Sequence, residues 1–259
     1  MTSDPSCIIA AGTPSWSAEV SLLTPVRRRG VEILDEDRDP VLQRRSHRDI
    51  ALANRLFGGI HAVQAELAPW LRSSGAKATL LDVGTGTGDI PERLRRFAAT
   101  HNVSLQVFGL DGRFELVKAT REWPVAGVLG DALALPFATG SFDFVIASQV
   151  LHHFEAGEAI QLVREMHRVA RRRVVVADLR RSWVAVAGLW LVSFPLGFHR
   201  VSRHDGVVSI LRGFEANELR DLICKATGQT PEVRRRTGWR VTASWTPEPD
   251  GGGRRADGR

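Results

Sequence analysis

The sequence predicts a doubly wound α/β fold with a mostly parallel sheet, and three observations lead there. An apolar run, Leu80-Leu81-Asp82-Val83, stops in the string Gly84-Thr85-Gly86-Thr87-Gly88 and gives way to a helical pattern from Asp89. Strand-like and helix-like segments alternate over 79–83, 89–100, 104–110, 113–121, 126–130, 142–148, 157–170 and 173–178. Alternation of this kind means parallel strands joined by right-handed crossovers. Finally, Asp82, Asp111, Asp131, Ser148 and Asp178 all fall at strand ends on this reading, at the edge beyond which such sheets bind ligands.

Taken in order, residues 1–40 carry Pro5, Pro14, Pro25 and Pro40, which break any long periodicity and predict a mobile N-terminal segment. Residues 41–74 predict two helices, one striped by Ile50, Ala53, Leu56 and Phe57 and the other by Ile60, Val63, Leu67 and Leu71, interrupted at Gly58-Gly59. The alternating core spans 75–180, and Pro91 sits in the first turn of its helix, where a missing N–H is harmless. Residues 181–213 follow as an apolar helical insertion after the fifth strand. Trp183 to Phe198 holds no charged residue, and its sixteen positions fall short of the ~20 that span a bilayer. The segment suits a lid over a substrate pocket first and a peripheral membrane contact second. His199 to Gly213 reads as an irregular polar loop. A helix from Phe214 to about Thr227 and a closing hairpin over 231–237 and 239–246 complete the domain at 247, and the glycine-rich 248–259 reads as a disordered tail.

Composition narrows the function classes. The 259 residues and 43% apolar content fit one α/β domain with additions. Cys7 and Cys224 are too few and too separated for a disulfide framework or a zinc site, so no metal is expected and a reducing cytoplasmic setting is. No charged start precedes a long apolar run, so no signal peptide is read. The net charge of +6 is almost all arginine, and the runs 27–29, 171–173 and 234–236 are read as solvated faces rather than a nucleic-acid site.

The glycine loop carries the chemistry. A dinucleotide fingerprint reads G-x-G-x-x-G and grips a pyrophosphate. Here the third glycine comes one residue early, and Asp82 and Asp89 flank the loop. Carboxylates would repel a pyrophosphate; they suit a cofactor with an ammonium and a positive sulfonium. With Asp82 ahead of Gly84, Gly86 and Gly88, Asp111 after the second strand, the loop 130–137 and the phrase Leu151-His152-His153-Phe154, the chain resembles the class I S-adenosyl-L-methionine (SAM)-dependent methyltransferases over about residues 75–180. It is closest in pattern to the group acting on quinone precursors and polyketide phenols.

The resemblance implies a Rossmann-like, seven-stranded sheet and SAM as cofactor. It places Asp82, Gly84, Thr85, Gly86 and Gly88 on the cofactor, Asp111 with Gly112 at the ribose, Asp131 and Ala132 at the adenine, and Ser148 and Gln149 beside them. It implies an acceptor that is a small aromatic or lipidic molecule, methylated on a phenol oxygen; C-methylation of a quinone precursor, RNA methylation and a non-catalytic SAM-binding role stand as alternatives. A phenol must lose a proton, and histidine, with an ordinary pKa of about 6.5, suits that task. His153 and then His152 are the candidate bases, with Asp178 to orient one of them. Trp183, Trp190, Phe194 and Phe57 are the candidate acceptor-binding side chains.

Overall fold

The computed structural model describes residues 23–28, 30–36 and 39–248. Cys7, and the ends expected to be mobile over 1–22 and 249–259, lie outside them. A short helix α1 (Ile33–Glu36) precedes α2 (Pro40–Leu56) and α3 (Gly59–Arg72). The core then runs β1 (Lys77–Val83), α4 (Asp89–Ala99), β2 (Ser104–Asp111), α5 (Phe114–Ala119), β3 (Ala126–Leu129), β4 (Phe142–Ser148), α6 (Ala156–Val169) and β5 (Ala170–Leu179). It closes with α7 (Trp183–Ser193), α8 (Arg200–Arg212), α9 (Ala216–Thr227), β6 (Glu232–Arg236) and β7 (Arg240–Trp245).

The seven strands form one sheet in the order β3-β2-β1-β4-β5-β7-β6. From β3 to β5 every pairing is parallel, whereas β7 pairs antiparallel with both β5 and β6. The sheet is therefore mixed. The antiparallel pairing follows from a three-residue turn that sends the chain straight back, whereas a parallel neighbour needs a long crossover. Gly238 sits in that turn because a β-carbon there would lie 2.1 Å from the Phe57 carbonyl oxygen at the end of α2.

Strand residues alternate between the two faces, as period-2 geometry requires. Leu81, Val83, Val145, Ala147, Val174 and Val176 pack against α6 and α9, while Leu80, Phe144, Ile146 and Val175 pack against α3 and α4. Both α6 and α9 begin with a glutamate capping box, Glu155/Glu158 and Glu215/Glu218, which satisfies backbone donors left free at a helix start. The order of strand addition reverses at β1, with β2 and β3 on one side and β4 and β5 on the other, and that switch point opens the crevice in which ligands bind.

Two expectations change. His199–Gly213 is not a loop: Arg200–Arg212 is helical, with His199 accepting the Val201 N–H as its N-cap. Polar contacts, not an apolar stripe, hold it. Ser202 donates to Asp49, Asp205 accepts the N–H groups of Ile33 and Leu34, and Ser209 donates to Glu32. Nor is the described part of 1–40 loose. Arg181 donates to the Pro25 carbonyl and Trp183 N–H to that of Leu23, so residues 23–28 and 30–34 lie along α7 and α8 like a strap.

The arginine runs are more than solvated faces. Arg173 is buried and donates to Glu232 and Ser244, while Arg234 and Arg236 both reach Glu66 on α3.

Candidate active site

A cavity of about 750 Å³ opens at the carboxyl ends of the parallel strands. The glycine loop forms one end. Gly84 and Thr85 donate their N–H groups to the Leu110 carbonyl, tying the loop to the end of β2. Gly84 has φ +70°, and a β-carbon there would lie 2.4 Å from the Val150 side chain. Gly86 has φ +56°, and a β-carbon there would meet nothing within 4 Å, because that side of the loop faces the cavity. Asp111 at the end of β2 accepts the Gly86 N–H at 3.0 Å and the Arg113 N–H at 3.0 Å, so one carboxylate shapes two turns. Asp131 accepts the Leu133 N–H at 2.8 Å and holds the loop after β3.

Of the residues predicted for the cofactor, Asp82, Gly84, Thr85, Gly86, Asp111, Gly112, Asp131, Ala132, Ser148 and Gln149 line the cavity. Gly88 does not. It caps α4 at φ +81° and backs onto Trp123 and Thr120, turning the chain behind the cavity wall.

The lining fits a cationic cofactor. Asp82 is 2% exposed, and its Oδ1 has no hydrogen-bond partner among the described residues. Burial, with the Asp89 and Asp111 carboxylates nearby, pushes its carboxyl up to about 8. Burial likewise raises Asp89 and Asp111. Three crowded, desolvated carboxyls attract a positive ligand. Ser148 Oγ, also buried without a partner, offers a further polar contact.

At the far side of β4 the chain makes a tight turn. Gln149 takes the left-handed conformation at φ +58°, donates its N–H to Ala177, and hydrogen-bonds Asn54 of α2 through its side chain. A 3₁₀ turn over Leu151–His153 follows. His152 is 3% exposed, and its Nδ1 lies 2.6 Å from Asp178 Oδ1, while Asp178 Oδ2 accepts the His152 backbone N–H at 3.1 Å. Asp178 is fully buried at the end of β5. Burial alone would raise its carboxyl, but His152, its ring hydrogen bond, the Leu179 N–H and His153 together hold it below its usual value. With Nδ1 bound to a carboxylate, His152 Nε2 carries the lone pair. That atom is buried and has no hydrogen-bond partner among the described residues.

His153 stacks on His152 with ring centres 4.3 Å apart. It lines the cavity too. Arg212 of α8 donates to the carbonyls of both histidines, fixing their backbone. Glu32, carried in by the strap, lies 3.8 Å from His152 Nε2 and 3.9 Å from His153 Nδ1. These three groups could share a cation, but the Arg212 guanidinium, 3.7 Å from Glu32, already supplies one.

The acceptor side differs from expectation. Phe57 lines the cavity, but Trp183, Trp190 and Phe194 do not; they are 40%, 53% and 50% exposed. The opposite stripe of α7, Ala185, Gly188, Leu189 and Val192, faces inward. Its small residues let the helix close on α8. A β-carbon on Gly206 would lie 2.7 Å from Leu189, so the two interlock. The sequence reading did not assign Glu32, His47, Asp49 or Arg240 to the cavity wall. Burial beside Arg113 pushes His47 down to about 4, and burial pushes Arg240 down to about 10. None of the four stands in a motif.

Comparison with known proteins agrees with the geometry. The family described as "Methyltransferase domain" matches residues 81–177. A malonyl-[acyl-carrier protein] O-methyltransferase of Legionella pneumophila is 33% identical over 101 residues, covering 36% of this chain and 33% of that protein. A demethylmenaquinone methyltransferase of Thermotoga maritima is 33% identical over 104 residues, covering 39% of this chain and 43% of that one. The chain thus spans less than half the length of either relative. The crystal structure of magnesium protoporphyrin IX methyltransferase from Synechocystis, with bound SAH, superposes at a TM-score of 0.50 and 15% identity, covering 82% of this chain and 90% of that one. With its strand order, glycine loop and carboxylate-lined cavity, the chain has the class I SAM-dependent methyltransferase fold, with a methyltransferase-domain match over residues 81–177.

Proposed function

We propose that this chain methylates a small aromatic or lipidic acceptor, on a phenol oxygen, with His152 as the general base and Asp178 as the residue that positions it. The His152–Asp178 pair carries the reading: a buried imidazole with one nitrogen held by a carboxylate and the other, in the cavity wall, without a hydrogen bond among the described residues. Bound SAM supplies an electrophilic methyl group already activated by its sulfonium. The chain's own residues do the rest. Asp82, Asp89 and Asp111 favour the positive cofactor; the strap, α7 and α8 keep water from the site; His152 Nε2 takes the phenol proton. A phenol ionises near pH 10, so deprotonation at neutral pH costs roughly 4 kcal/mol, and a placed base contributes about 10²–10⁴-fold.

The mixed lining supports this class of acceptor. Phe57, Ala185, Leu189, Val192 and Phe198 offer apolar contact, while Glu32, Asp49 and Asp205 would repel an anionic substrate. The relatives' printed acceptors differ from one another, so the acceptor class rests on the cavity itself. A labelled-methyl screen of phenols, quinones and RNA with wild type and His152→Ala tests the reading. Label should enter phenols with wild type and fall at least about a hundredfold in the variant. Label entering only RNA, or equal transfer by the variant, overturns it.

A further inference from the structure

We propose that the outer face of α7 docks on a bilayer surface rich in anionic lipid, placing the cavity wall against the hydrocarbon. Trp190, Leu191 and Phe194 are 53%, 73% and 50% exposed, and Trp183 and Val184 continue the patch at 40% and 43%. Single exposed apolar residues are ordinary, but a contiguous patch marks an interaction surface. Ser182 caps the helix start through the N–H groups of Val184 and Ala185, and Leu189 locks against Gly206. The apolar face is therefore fixed outward rather than left over from a loose helix.

Charge selects the occupant. From Arg180 through His204 there is no aspartate or glutamate, while Arg200 and Arg203 are present; Arg181 is buried and paired with Glu218 and plays no part. Arg28 of the strap lies over the Trp183 ring at 5.7 Å, and Arg203 over the Phe194 ring at 4.2 Å. A two-fold contact between copies of this face would bring these arginines together unpaired. Lipid phosphates would pair them, with tryptophan at headgroup level and the aliphatic side chains below. At eleven residues α7 is about 16 Å long, and no helix among the described residues is long and apolar enough to cross a membrane. It would lie in the interface plane.

Val192 is 38% exposed and also lines the cavity, so the patch and the site share a wall. A lipid-dissolved acceptor could then reach the cavity without crossing water. The docking surface does not depend on which atom is methylated.

Co-sedimentation of the full chain with vesicles tests it. Vesicles of phosphatidylcholine with about 30% phosphatidylglycerol should retain the protein, phosphatidylcholine alone should not, and raising salt from about 0.1 M to 1 M should release it. Trp190→Glu with Leu191→Glu should weaken vesicle binding about tenfold or more while the far-ultraviolet circular dichroism and melting temperature stay at wild-type values. Should that pair perturb folding, Arg28→Gln with Arg203→Gln keeps the test open: it should lower binding to the anionic vesicles. No retention by anionic vesicles overturns the proposal. So does unchanged binding by both double variants, or a wild-type dimer in light scattering that the glutamates dissociate.

Discussion

His152 gives one ring nitrogen to a carboxylate, and the other, 3.8 Å from Glu32, has no hydrogen bond among the described residues, which suits a residue that moves a single proton. His152→Ala should lower kcat about 10²–10⁴-fold with little change in KM, read by single-turnover methyl transfer. His153→Ala, which leaves the His152–Asp178 hydrogen bond in place, should cost less than about tenfold. Asp178→Asn would set amide N–H groups against N–H donors, lowering kcat and destabilising by about 1–3 kcal/mol. Because Asp178 is held below its usual value when folded, the stability it lends is present above the unfolded carboxylate range and is lost as acid protonates the folded group. Asp82 has the opposite sign. Its folded carboxyl is pushed up to about 8, so between the unfolded value and that point the folded protein holds a proton the unfolded chain has released, and stability falls as pH rises. Denaturant titrations of the cofactor-free protein at about pH 5.5 and 8.5 should show that loss, Asp82→Asn should flatten it, and SAM affinity should rise with pH over the same window. Unchanged affinity across that window would remove the carboxylate-for-cation account of the loop.

Among elements, α7 and α8 show what a linear pattern can and cannot display. The strands β1, β2, β4, β5 and β7 and the helices α3, α4, α6 and α9 were legible because each buries an apolar face with its own period, whereas in α2 the buried residues are Ser46 and Asn54 and the expected stripe residues Ile50 and Leu56 are exposed. In α8 the buried residues are Val201, Ser202, Asp205 and Ile210, and Ser202, Asp205 and the half-buried Ser209 and Arg212 satisfy donors and acceptors across the cavity mouth, so the helix shows no continuous apolar stripe. In α7 every face is apolar, so periodicity cannot tell inside from outside. Large aromatic residues drew the sequence reading to the wrong face; the stripe of Ala185, Gly188, Leu189 and Val192 packs inward because Gly206 leaves room for Leu189. Leu189→Ala should therefore raise acceptor KM about tenfold, whereas Trp190→Ala should leave acceptor kinetics unchanged, read side by side with a hydrophobic phenol. On the opposite side of the sheet Glu66 of α3 accepts from Arg234, Arg236, Thr242 and Ser244 while only 3% exposed. Glu66→Ala would strand those donors and should cost about 3–5 kcal/mol by denaturant melt.

Across the whole molecule the cavity draws on distant stretches of chain. The cofactor end comes from strand termini within residues 81–149, readable as one motif series, but the acceptor end needs Glu32, Asn54, Leu189, Asp205 and Trp239. No local signal marks Glu32, because its place depends on Asp205 catching the strap at Ile33 and Leu34. Removing residues 1–36 should leave SAM affinity near wild type but raise acceptor KM about tenfold, checked by calorimetry and steady-state kinetics. A different consequence follows from the place of β7 in the sheet. It lies between β5 and β6, yet it leaves the ribosome after both. Until it arrives, β5 presents an open edge and β6 has no strand to pair with, so the nascent sheet waits half-built. Unpaired edges recruit other chains. The growing polypeptide thus passes through an aggregation-prone interval that ends only when Arg240–Trp245 slides into the gap. A chain stopped at Arg236 should collect in the insoluble fraction even though the cofactor motifs are all present.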